Sequence, residues 1–577
     1  MEYIIRFNII LLGICCNVLC NGQIDSKTTS FGSPVDFPIS LSANFGEIRD
    51  DHFHSGIDIK TQGASGKEIR TVEDGYISRI SVSPGGFGQA IYVRHPNGFT
   101  TVYGHLSRFH GDIDEYVREN QYREMSFQIG LFPRPEQFRV AKGDIIGYSG
   151  NTGSSLGPHL HFEVRNSSNE HPLNPMLFDF DIEDTIRPVI YGISLYPLSP
   201  ESHVDFENQK KRFPVTGSGG KYTLRNTNPV SAGGYIGFGV ETNDFLNHSS
   251  NRCGIYSIEL KVDQVTAFQM ELSEFSFEET RYINSHIDYE ERLENKRNIH
   301  QTFTAPNNKL SVYKQVKNRG RLKLMDNETH EITIIIRDTY LNESILNLFV
   351  QADWEPGRRY GNSDRTYSRI MPYDITNTYE HNGFEISIPA NALYDTLYFS
   401  YAKSPGLPST YSEIHHVHNR FTPVHKSFTM RIRPEPFPVG LEGKLIVAAL
   451  DDEKELNPVG GEFNEGSMEV QIREFGKFVI VADTVPPEII PVTPVNNMNL
   501  TGASLLRFRI TDDFSGIRSY NGFIDDQWVL FEYDPKNDML SYAFDPSRLN
   551  KGKVHELVLT VIDNRENISV FSCSFIW

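Results

Sequence analysis

Residues 157–164 have the sequence GPHLHFEV, which places two histidines and a glutamate at alternate positions. In an extended strand alternate side chains share a face, so His159, His161 and Glu163 would point to one side and three apolar side chains to the other. The two imidazoles would then lie roughly 6 to 7 Å apart along the strand. A pair of histidines alone is weak support for a site, so the interpretation depends on what the rest of the chain supplies.

Two segments upstream carry residues of the same kind. The sequence HSGID at 54–58 puts His54 and Asp58 on one side of an extended chain, where an imidazole and a carboxylate can converge on a metal ion. A hairpin predicted over residues 90–103, with its turn at 96–98, places His105 at the end of the returning strand. These patterns predict a metal site built from residues that are distant along the chain.

The order of these motifs resembles the lysostaphin and LytM type of zinc endopeptidases that cut peptidoglycan. The resemblance covers roughly residues 40–176 and includes FG at 45–46, HSGID at 54–58, DG at 74–75, HPNG at 95–98, GHL at 104–106, GNTG at 150–153 and LNP at 173–175. It implies that His54, Asp58 and His161 hold one Zn²⁺ ion. It also implies that His105 and His159 are the two non-ligand histidines beside the metal, without deciding which of them is the general base.

The same resemblance implies a fold and an activity. We expect an antiparallel β peptidase domain whose ion has three protein ligands and activates a water molecule for the hydrolysis of peptide cross-links in bacterial peptidoglycan. Glu163 shares a face with His159 and His161 and could orient one of them as a hydrogen-bond acceptor. The alternative for Glu163 is a salt link at the end of the strand.

Two other functions are compatible with parts of the sequence. Some relatives of these endopeptidases are non-catalytic and activate or dock a cell-wall amidase, but they typically lack the metal ligands that are all filled here. A second alternative makes the segment after residue 183 the main functional part, as a scaffold that binds other envelope proteins.

Composition excludes some classes of partner. The chain has 577 residues, too many for a single hydrophobic core, so we expect three to five domains. The 55 Lys and Arg residues against 74 Asp and Glu residues leave a formal charge of −19. This balance argues against a nucleic acid or an anionic lipid surface as the partner.

The N-terminus predicts export. A positive residue, an apolar run over residues 7–19 and small residues at 20–22 are typical of a secretory signal peptide, which we assign to residues 1–22. The alternative is a lipoprotein signal with Cys20 as the lipidated residue, although Leu19 before it fits such a site poorly. No later segment is apolar enough to cross a bilayer, so we expect a periplasmic or envelope-associated protein with no transmembrane segment in its mature form.

The predicted peptidase domain spans residues 23–183 and contains an insertion at 108–139. Within the insertion, residues 112–125 have the pattern of a short amphipathic helix with Ile113, Tyr116 and Val117 along one side. Because the insertion follows His105 directly, we expect it to form a wall or lid of the substrate groove; the alternative is a surface excursion with no role there.

The remaining residues repeat themselves. The segments DTIRP at 184–188, TNDF at 242–245 and HE at 330–331 recur as DTVPP at 483–487, TDDF at 511–514 and HE at 555–556. We therefore predict one module used twice, as a β-sandwich at 184–352 with an insert near 262–328 and as an immunoglobulin-like sandwich at 483–577. Between them we predict a linker at 353–380 and a β-rich domain at 381–482. No second group of potential metal ligands is evident after residue 183, so these domains are interpreted as binding or spacing modules for an envelope partner.

Overall fold

The computed structural model of the protein describes residues 30–361, 366–494 and 498–577. The predicted signal peptide and Cys20 lie outside the described residues. Strands dominate the described chain, which confirms the predicted mostly-β class. No helix among the described residues has both the length and the apolar character needed to cross a membrane.

The N-terminal unit (residues 30–183) contains a large antiparallel sheet, a small second sheet and one helix. The large sheet has the order β1-β2-β11-β6-β5-β4-β8, with β12 beside β11 and β9 beside β4, and the small sheet has the order β3-β10-β7. The elements are β1 (Leu41–Ala43), β2 (Ile57–Lys60), β3 (Glu68–Arg70), β4 (Gly75–Val82), β5 (Gln89–Arg94), β6 (Phe99–Leu106), β7 (Arg108–Phe109), α1 (Asp112–Glu124), β8 (Ile129–Leu131), β9 (Arg139–Val140), β10 (Ile145–Tyr148), β11 (His159–Asn166) and β12 (Pro172–Leu173).

Strand β11 shows the predicted alternation. Leu160, Phe162 and Val164 are fully buried in the core of the unit, whereas His161 and Glu163 face the other way and meet polar side chains. The predicted hairpin is formed by β5 and β6, and the turn between them is closed by Gly98, whose φ of +87° is readily adopted only by glycine.

The predicted helix in the insertion is confirmed as α1. Its residues Ile113 and Val117 are buried, four positions apart on one side of the helix. The helix ends at Met125, which adopts a left-handed conformation with its backbone N–H directed to the last carbonyls of the helix.

The first arm module (residues 184–352) is a twelve-stranded arrangement with the main order β14-β17-β13-β15-β16-β24-β23-β18-β19-β21. Strand β17 is its longest element and pairs with β13, β14, β20, β22 and β24. The elements are β13 (Val189–Pro197), β14 (His203–Val204), β15 (Lys211–Ser218), β16 (Lys221–Leu224), β17 (Val230–Asn243), β18 (Ser257–Val262), β19 (Val265–Glu271), α2 (Tyr289–Asn295), β20 (Ile299–Gln301), β21 (Tyr313–Val316), β22 (Leu322–Leu324), β23 (Thr329–Arg337) and β24 (Glu343–Ala352).

The N-terminal unit and the first arm module share their hydrophobic cores. Phe45, Ile48 and Phe53 of the N-terminal unit are buried in the core of the arm module, and Leu246 and Cys253 of the arm are buried in the N-terminal core. Such mutual burial of large apolar side chains holds the two parts in one fixed arrangement.

The middle unit (residues 366–482) contains two five-stranded sheets and a two-stranded pair. Their orders are β26-β27-β31-β35-β34, β29-β30-β36-β32-β33 and β25-β28. Strand β25 and all but the last residue of β26 lie within the segment 353–380 that the polar composition predicted as a linker. The elements are β25 (Arg369–Met371), β26 (Asn377–His381), β27 (Phe384–Ile388), β28 (Leu397–Phe399), β29 (Tyr401–Ser404), β30 (Ile414–Val417), β31 (Phe428–Ile432), β32 (Leu445–Leu450), β33 (Leu456–Gly460), β34 (Glu462–Asn464), β35 (Ser467–Ile472) and β36 (Gly476–Ala482).

The last arm module (residues 483–577) has sheets of four and five strands around one core. Their orders are β37-β39-β43-β42 and β38-β45-β44-β40-β41. The elements are β37 (Glu488–Pro491), β38 (Met498–Asn499), β39 (Leu505–Thr511), β40 (Ile517–Ile524), β41 (Gln527–Val529), β42 (Glu532–Asp534), β43 (Met539–Ala543), β44 (Val554–Asp563) and β45 (Ile568–Ile576).

The two arm modules make equivalent contacts at equivalent positions. In the first, His330 Nδ1 lies 2.7 Å from Asp263 Oδ2, and in the last, His555 Nδ1 lies 2.6 Å from Asp525 Oδ2. Each histidine begins a hairpin, β23–β24 or β44–β45, whose paired strands are as the sequence predicts.

The last arm module folds back onto the N-terminal unit. Trp528 packs edge-on against Tyr122 of α1, with ring centroids 5.4 Å apart. Arg548 lies over the ring of Tyr122 at 3.5 Å, and Lys536 donates hydrogen bonds to the carbonyls of Asn151 and Ser155. The insertion therefore forms part of the docking surface for this module, together with the loop that contains Asn151 and Ser155.

A buried pair of histidines makes the first arm module sensitive to acid. His286 Nε2 lies 3.0 Å from His300 Nδ1, and burial lowers the pKa of His300 to about 4. A histidine in an unfolded chain has a pKa of about 6.5, so protons bind preferentially to the unfolded state. Neutral His300 therefore contributes fully to the free energy of unfolding above pH 6.5. As the pH falls from 6.5 towards 4, the free energy of unfolding decreases by about 3 kcal/mol.

We expect His300→Gln to remove most of this pH dependence from the free energy of unfolding of the first arm module. Urea unfolding at pH 7 and pH 4.5 measures it, with His381→Gln at an exposed position as the control. An equal loss of stability on acidification in both variants would contradict the assignment.

Candidate metal-binding active site

Strand pairing brings the first two predicted ligands together. In the antiparallel ladder of β2 and β11, Asp58 is directly opposite His161. On the other side of β11, His161 is opposite Gly104 of β6. A Cβ atom at Gly104 would lie 3.4 Å from the Cβ of His161, so the glycine leaves the space that the imidazole needs.

The three predicted ligand atoms converge on one point. His54 Nε2 lies 3.1 Å from Asp58 Oδ1 and 3.1 Å from His161 Nδ1, and His161 Nδ1 lies 2.9 Å from Asp58 Oδ1. In a tetrahedral zinc site with bonds of 2.0–2.1 Å the ligand atoms are about 3.3 Å apart. The described geometry therefore fits a small cation held by two imidazoles and one carboxylate.

Hydrogen bonds on the outer side of each imidazole select the tautomer that such a cation requires. His54 Nδ1 donates to the backbone carbonyl of Asn44 at 2.8 Å, and His161 Nε2 donates to Glu163 Oε1 at 2.9 Å. Both inward nitrogens, His54 Nε2 and His161 Nδ1, are then left with lone pairs that face each other. A shared cation satisfies two lone pairs at 3.1 Å, whereas a direct contact between them is repulsive.

Glu163 is held as an ionised carboxylate behind His161. It is fully buried, and it accepts hydrogen bonds from Ser55 Oγ and from Arg165 Nε, the latter at 2.6 Å. Burial alone would raise the pKa of Glu163, but the Arg165 guanidinium and the bond from His161 lower it to about 2. A charged acceptor in this position orients His161 and increases its basicity towards a metal.

Asp58 is also ionised. Burial works against its charge, yet His54, together with the other histidines around the carboxylate, holds the pKa of Asp58 well below its usual value. Its second carboxylate oxygen lies 3.2 Å from Arg49, which leaves Oδ1 directed at the two imidazoles.

His105 and His159 lie beside the ligand cluster. Their ring centroids are 4.8 Å apart, and His105 is 5.8 Å from His161. His105 Nδ1 donates to the carbonyl of Thr152 and His159 Nδ1 donates to that of Gly157, both at 2.8 Å, so neither Nε2 atom takes part in these bonds. His159 Nε2 lies 3.5 Å from Asp58 Oδ1. Burial, with the neighbouring His161 and His159, lowers the pKa of His105 to about 3, so this ring is neutral near pH 7.

The cluster opens into a cleft of about 1400 Å³ between the N-terminal unit and the first arm module. The prediction that residues 108–139 wall this groove is wrong, because none of them, all of which the structure describes, lines the cleft. The opposite wall comes from the arm instead. The arm residues that line it are Tyr191, Glu241, Asn243, Asn251, Arg252, Arg292, Lys296, Arg297 and Asn298.

The structure thus brings together all five histidine and aspartate positions expected from the sequence, with Glu163 behind them. The sequence did not indicate the arm wall or the role of Asn44. The side chain of Asn44 exchanges two hydrogen bonds with the backbone of Gly254, while its carbonyl accepts from His54. No sequence pattern predicts the contact between Asn44 and Gly254, because the two residues are 210 positions apart and any residue type could supply the backbone atoms of Gly254.

A cluster of two imidazoles and one carboxylate with two further histidines beside it, set in an open cleft of a β domain, fits the arrangement of a metal-dependent hydrolase. Comparison with known proteins specifies the family. Residues 52–122 and 134–175 match the model of peptidase family M23, and residues 368–483 match that of the Zu5-like domain. The chain therefore carries an M23 peptidase domain of the LytM and lysostaphin type, followed by further β domains.

Curated relatives match about a fifth to a quarter of the chain. The DD-carboxypeptidase/endopeptidase Mpg of Neisseria meningitidis serogroup B is 35% identical over 123 residues, which are 21% of this chain and 22% of the relative. The peptidoglycan DD-endopeptidase ShyA of Vibrio cholerae is 29% identical over 137 residues, or 23% of this chain and 26% of the relative. The chain therefore spans about a quarter or less of the length of these relatives.

Two solved structures align with part of the chain. The catalytic domain of lysostaphin from Staphylococcus simulans aligns with 24% identity and a TM-score of 0.18, covering 24% of this chain and 90% of that chain. The catalytic domain of EnpA from Enterococcus faecalis aligns with 23% identity and a TM-score of 0.20, covering 26% and 96%.

The contact between Glu163 and His161 predicts an effect on metal affinity. We expect Glu163→Gln to weaken Zn²⁺ binding about 10- to 100-fold, because the neutral amide no longer fixes the tautomer of His161. Competition with a chromophoric chelator measures the dissociation constant, and circular dichroism verifies folding. Glu170→Gln is the matched control, because Glu170 also approaches Arg165, at 3.7 Å, but is exposed. An unchanged affinity in folded Glu163→Gln would contradict the positioning role.

Proposed function

We propose that this chain is an exported zinc endopeptidase that hydrolyses peptide cross-links of bacterial peptidoglycan. The observation that carries the proposal is the convergence of His54 Nε2, Asp58 Oδ1 and His161 Nδ1, with both imidazole lone pairs turned inward. The family of the domain and the names of its relatives support the substrate. A periplasmic or envelope location follows from that substrate and from the predicted signal at 1–22.

His54, Asp58 and His161 would hold the ion, which, when bound with three protein ligands, supplies a water molecule of lowered pKa and polarises a carbonyl. Glu163 and the carbonyl of Asn44 keep the two ligand imidazoles in the required tautomers. These contacts are made before substrate arrives, so little reorganisation is needed during the reaction.

His105 and His159 would handle the proton. In each ring Nε2 is the atom that would exchange the proton, because Nδ1–H is committed to a backbone carbonyl. A neutral imidazole at this position can take a proton from the attacking water and return it to the leaving amine. The other imidazole can stabilise the charge that develops on the carbonyl oxygen.

The arm wall favours an acidic peptide. Four of its residues are basic and one is acidic, and the basic side chains are Arg252, Arg292, Lys296 and Arg297. Peptide stems with free carboxylates would be attracted to this wall. Cutting the chain after residue 183 does not test this directly, because it would also expose Phe45, Ile48 and Phe53 to water.

The ligand and proton-transfer roles predict different defects. We expect His161→Ala to lose both Zn²⁺ and cleavage, whereas His105→Ala keeps Zn²⁺ and cuts about 10² to 10⁴ times more slowly. Digestion of purified sacculi with analysis of the released muropeptides, beside metal content by mass spectrometry, separates the two. His110→Ala, exposed and outside the cleft, is the control. A His161→Ala variant that retains zinc and activity would refute the ligand set, and a wild-type protein that binds zinc but never cuts would favour an amidase activator.

The basic wall predicts an effect on substrate affinity. We expect Arg252→Ala combined with Lys296→Ala to raise KM for a soluble cross-linked muropeptide about tenfold with little change in kcat, because two exposed ion pairs are lost from ground and transition state alike. The difference should shrink at high salt. Lys323→Ala, exposed and outside the cleft, is the control. An unchanged KM would exclude the arm wall from substrate binding.

A further inference from the structure

Three aspartates meet in the interior of the first arm module, away from the peptidase cluster. Asp184 lies in the connection from the N-terminal unit, Asp244 follows the end of β17, and Asp338 lies in the turn between β23 and β24. Their residues are 8%, 1% and 1% exposed. One carboxylate oxygen of each lies within 4.8 Å of the others.

The carboxylate of Asp244 is directed into this cluster without a partner. Both of its oxygens, and Oδ2 of Asp184, are buried and accept no hydrogen bond. The charges that act on Asp244 are those of Asp184 and Asp338, so the neighbours repel its negative charge. A buried carboxylate in this state is unfavourable unless a cation neutralises it.

The donor set selects the kind of cation. Three carboxylates offer only oxygen and a formal charge of −3, which suits a hard divalent ion and not a metal that prefers imidazole or thiolate. Calcium binds oxygen at about 2.3–2.6 Å, so two ligands of one Ca²⁺ ion lie at most about 5 Å apart. The spacing of the three aspartates is within that limit.

The surrounding structure fixes two members of the cluster. The backbone N–H of Asn342 donates to Asp338 Oδ1 at 2.9 Å, and its side-chain amide donates to Asp338 Oδ2 at 2.7 Å. The same amide donates to the carbonyl of Asp184 at 3.1 Å. Hydrogen bonds within the protein therefore hold Asp184 and Asp338 close together whether or not a cation is bound.

The last arm module repeats the cluster with Asp483, Asp512 and Asp563. Asn567 has the role that Asn342 has in the first module. Its backbone N–H donates to Asp563 Oδ1 at 2.8 Å, and its side-chain amide donates to Asp563 Oδ2 at 2.7 Å and to the carbonyl of Asp483 at 3.2 Å. Here Asp512 Oδ1 and Ser515 Oγ are the buried oxygens without a partner. Asp512 is only partly buried, and the charge of Arg565 acts on Asp483 and Asp563, so this copy is less in need of a cation.

We propose that the first arm module binds a Ca²⁺ ion through Asp184, Asp244 and Asp338, and that the last arm module binds a second, more weakly, through Asp483, Asp512 and Asp563. The two clusters recur at the same place in both copies of the module.

The first site is connected to the peptidase cluster. Asp244 and Cys253 exchange two backbone hydrogen bonds, of 3.0 and 2.8 Å, at the base of a loop that reaches the N-terminal unit. The loop ends at Gly254, which is bound by Asn44, whose carbonyl accepts the hydrogen bond of His54. An ion at Asp244 would therefore stiffen the loop that supports His54.

Calcium titration of the full chain tests the proposal. The protein, loaded with one equivalent of Zn²⁺ and freed of other metals, is titrated with Ca²⁺ by calorimetry, and thermal unfolding is followed with and without Ca²⁺. We expect two binding steps and a rise in Tm on the order of 5 °C. Asp244→Asn should lose the tighter step and most of the rise, and Asp512→Asn only the weaker step.

Two exposed neighbours serve as controls. Glu183→Gln and Asp513→Asn each remove one negative charge next to a cluster and should leave both steps unchanged. If the wild-type chain binds no Ca²⁺, the proposal is overturned whatever the variants do, and protons rather than a cation neutralise the cluster. A tighter step that survives in Asp244→Asn overturns the first site. Neither result bears on zinc binding or cleavage, which are measured separately.

Discussion

The antiparallel pairing of β2 with β11 is the constraint on which the metal cluster depends. It places Asp58 opposite His161, and the alternation of β11 keeps Glu163 on the same face as that histidine. Because the side-chain period of a strand is two, a slip of one residue would send His161 and Glu163 into the apolar core and bring Leu160 and Phe162 to the site. The complete burial of those apolar side chains is what opposes the slip.

The first arm module is part of the same structural body as the peptidase domain. Phe45, Ile48 and Phe53 are buried in its core, and Asn44 links its Gly254 to His54, one of the proposed ligands. The expectation that the arm only binds or spaces is therefore incomplete, because one wall of the cleft belongs to it. With the last module docked on α1, the arm contacts the peptidase domain at two separate places.

The repeated module could be found from sequence motifs, whereas its cluster of aspartates could not. The repeat was visible in the sequence through the DT, TND or TDD and HE motifs, and the two hairpins that follow HE are confirmed. The sequence interpretation that no second group of potential ligands exists was wrong. Asp184, Asp244 and Asp338 are separated by 60 and 94 positions, and only the packing of β17 and the β23–β24 turn brings them together.

The sequence alone predicted the mostly-β class, the hairpins and helix α1, because each depends on local periodicity or on short motifs. Through its resemblance to a peptidase family it also indicated six candidate site residues, which the structure brings together. Its polar composition misled within 353–380, where β25 pairs with β28 and β26 begins a tight hairpin with the next strand, β27. Only the tertiary structure decided which surface faces the cleft, that the insertion docks a distant module and that three aspartates meet. These features arise from contacts between residues far apart in the chain, and such contacts are selected by the burial of shared apolar surface, which no local pattern records.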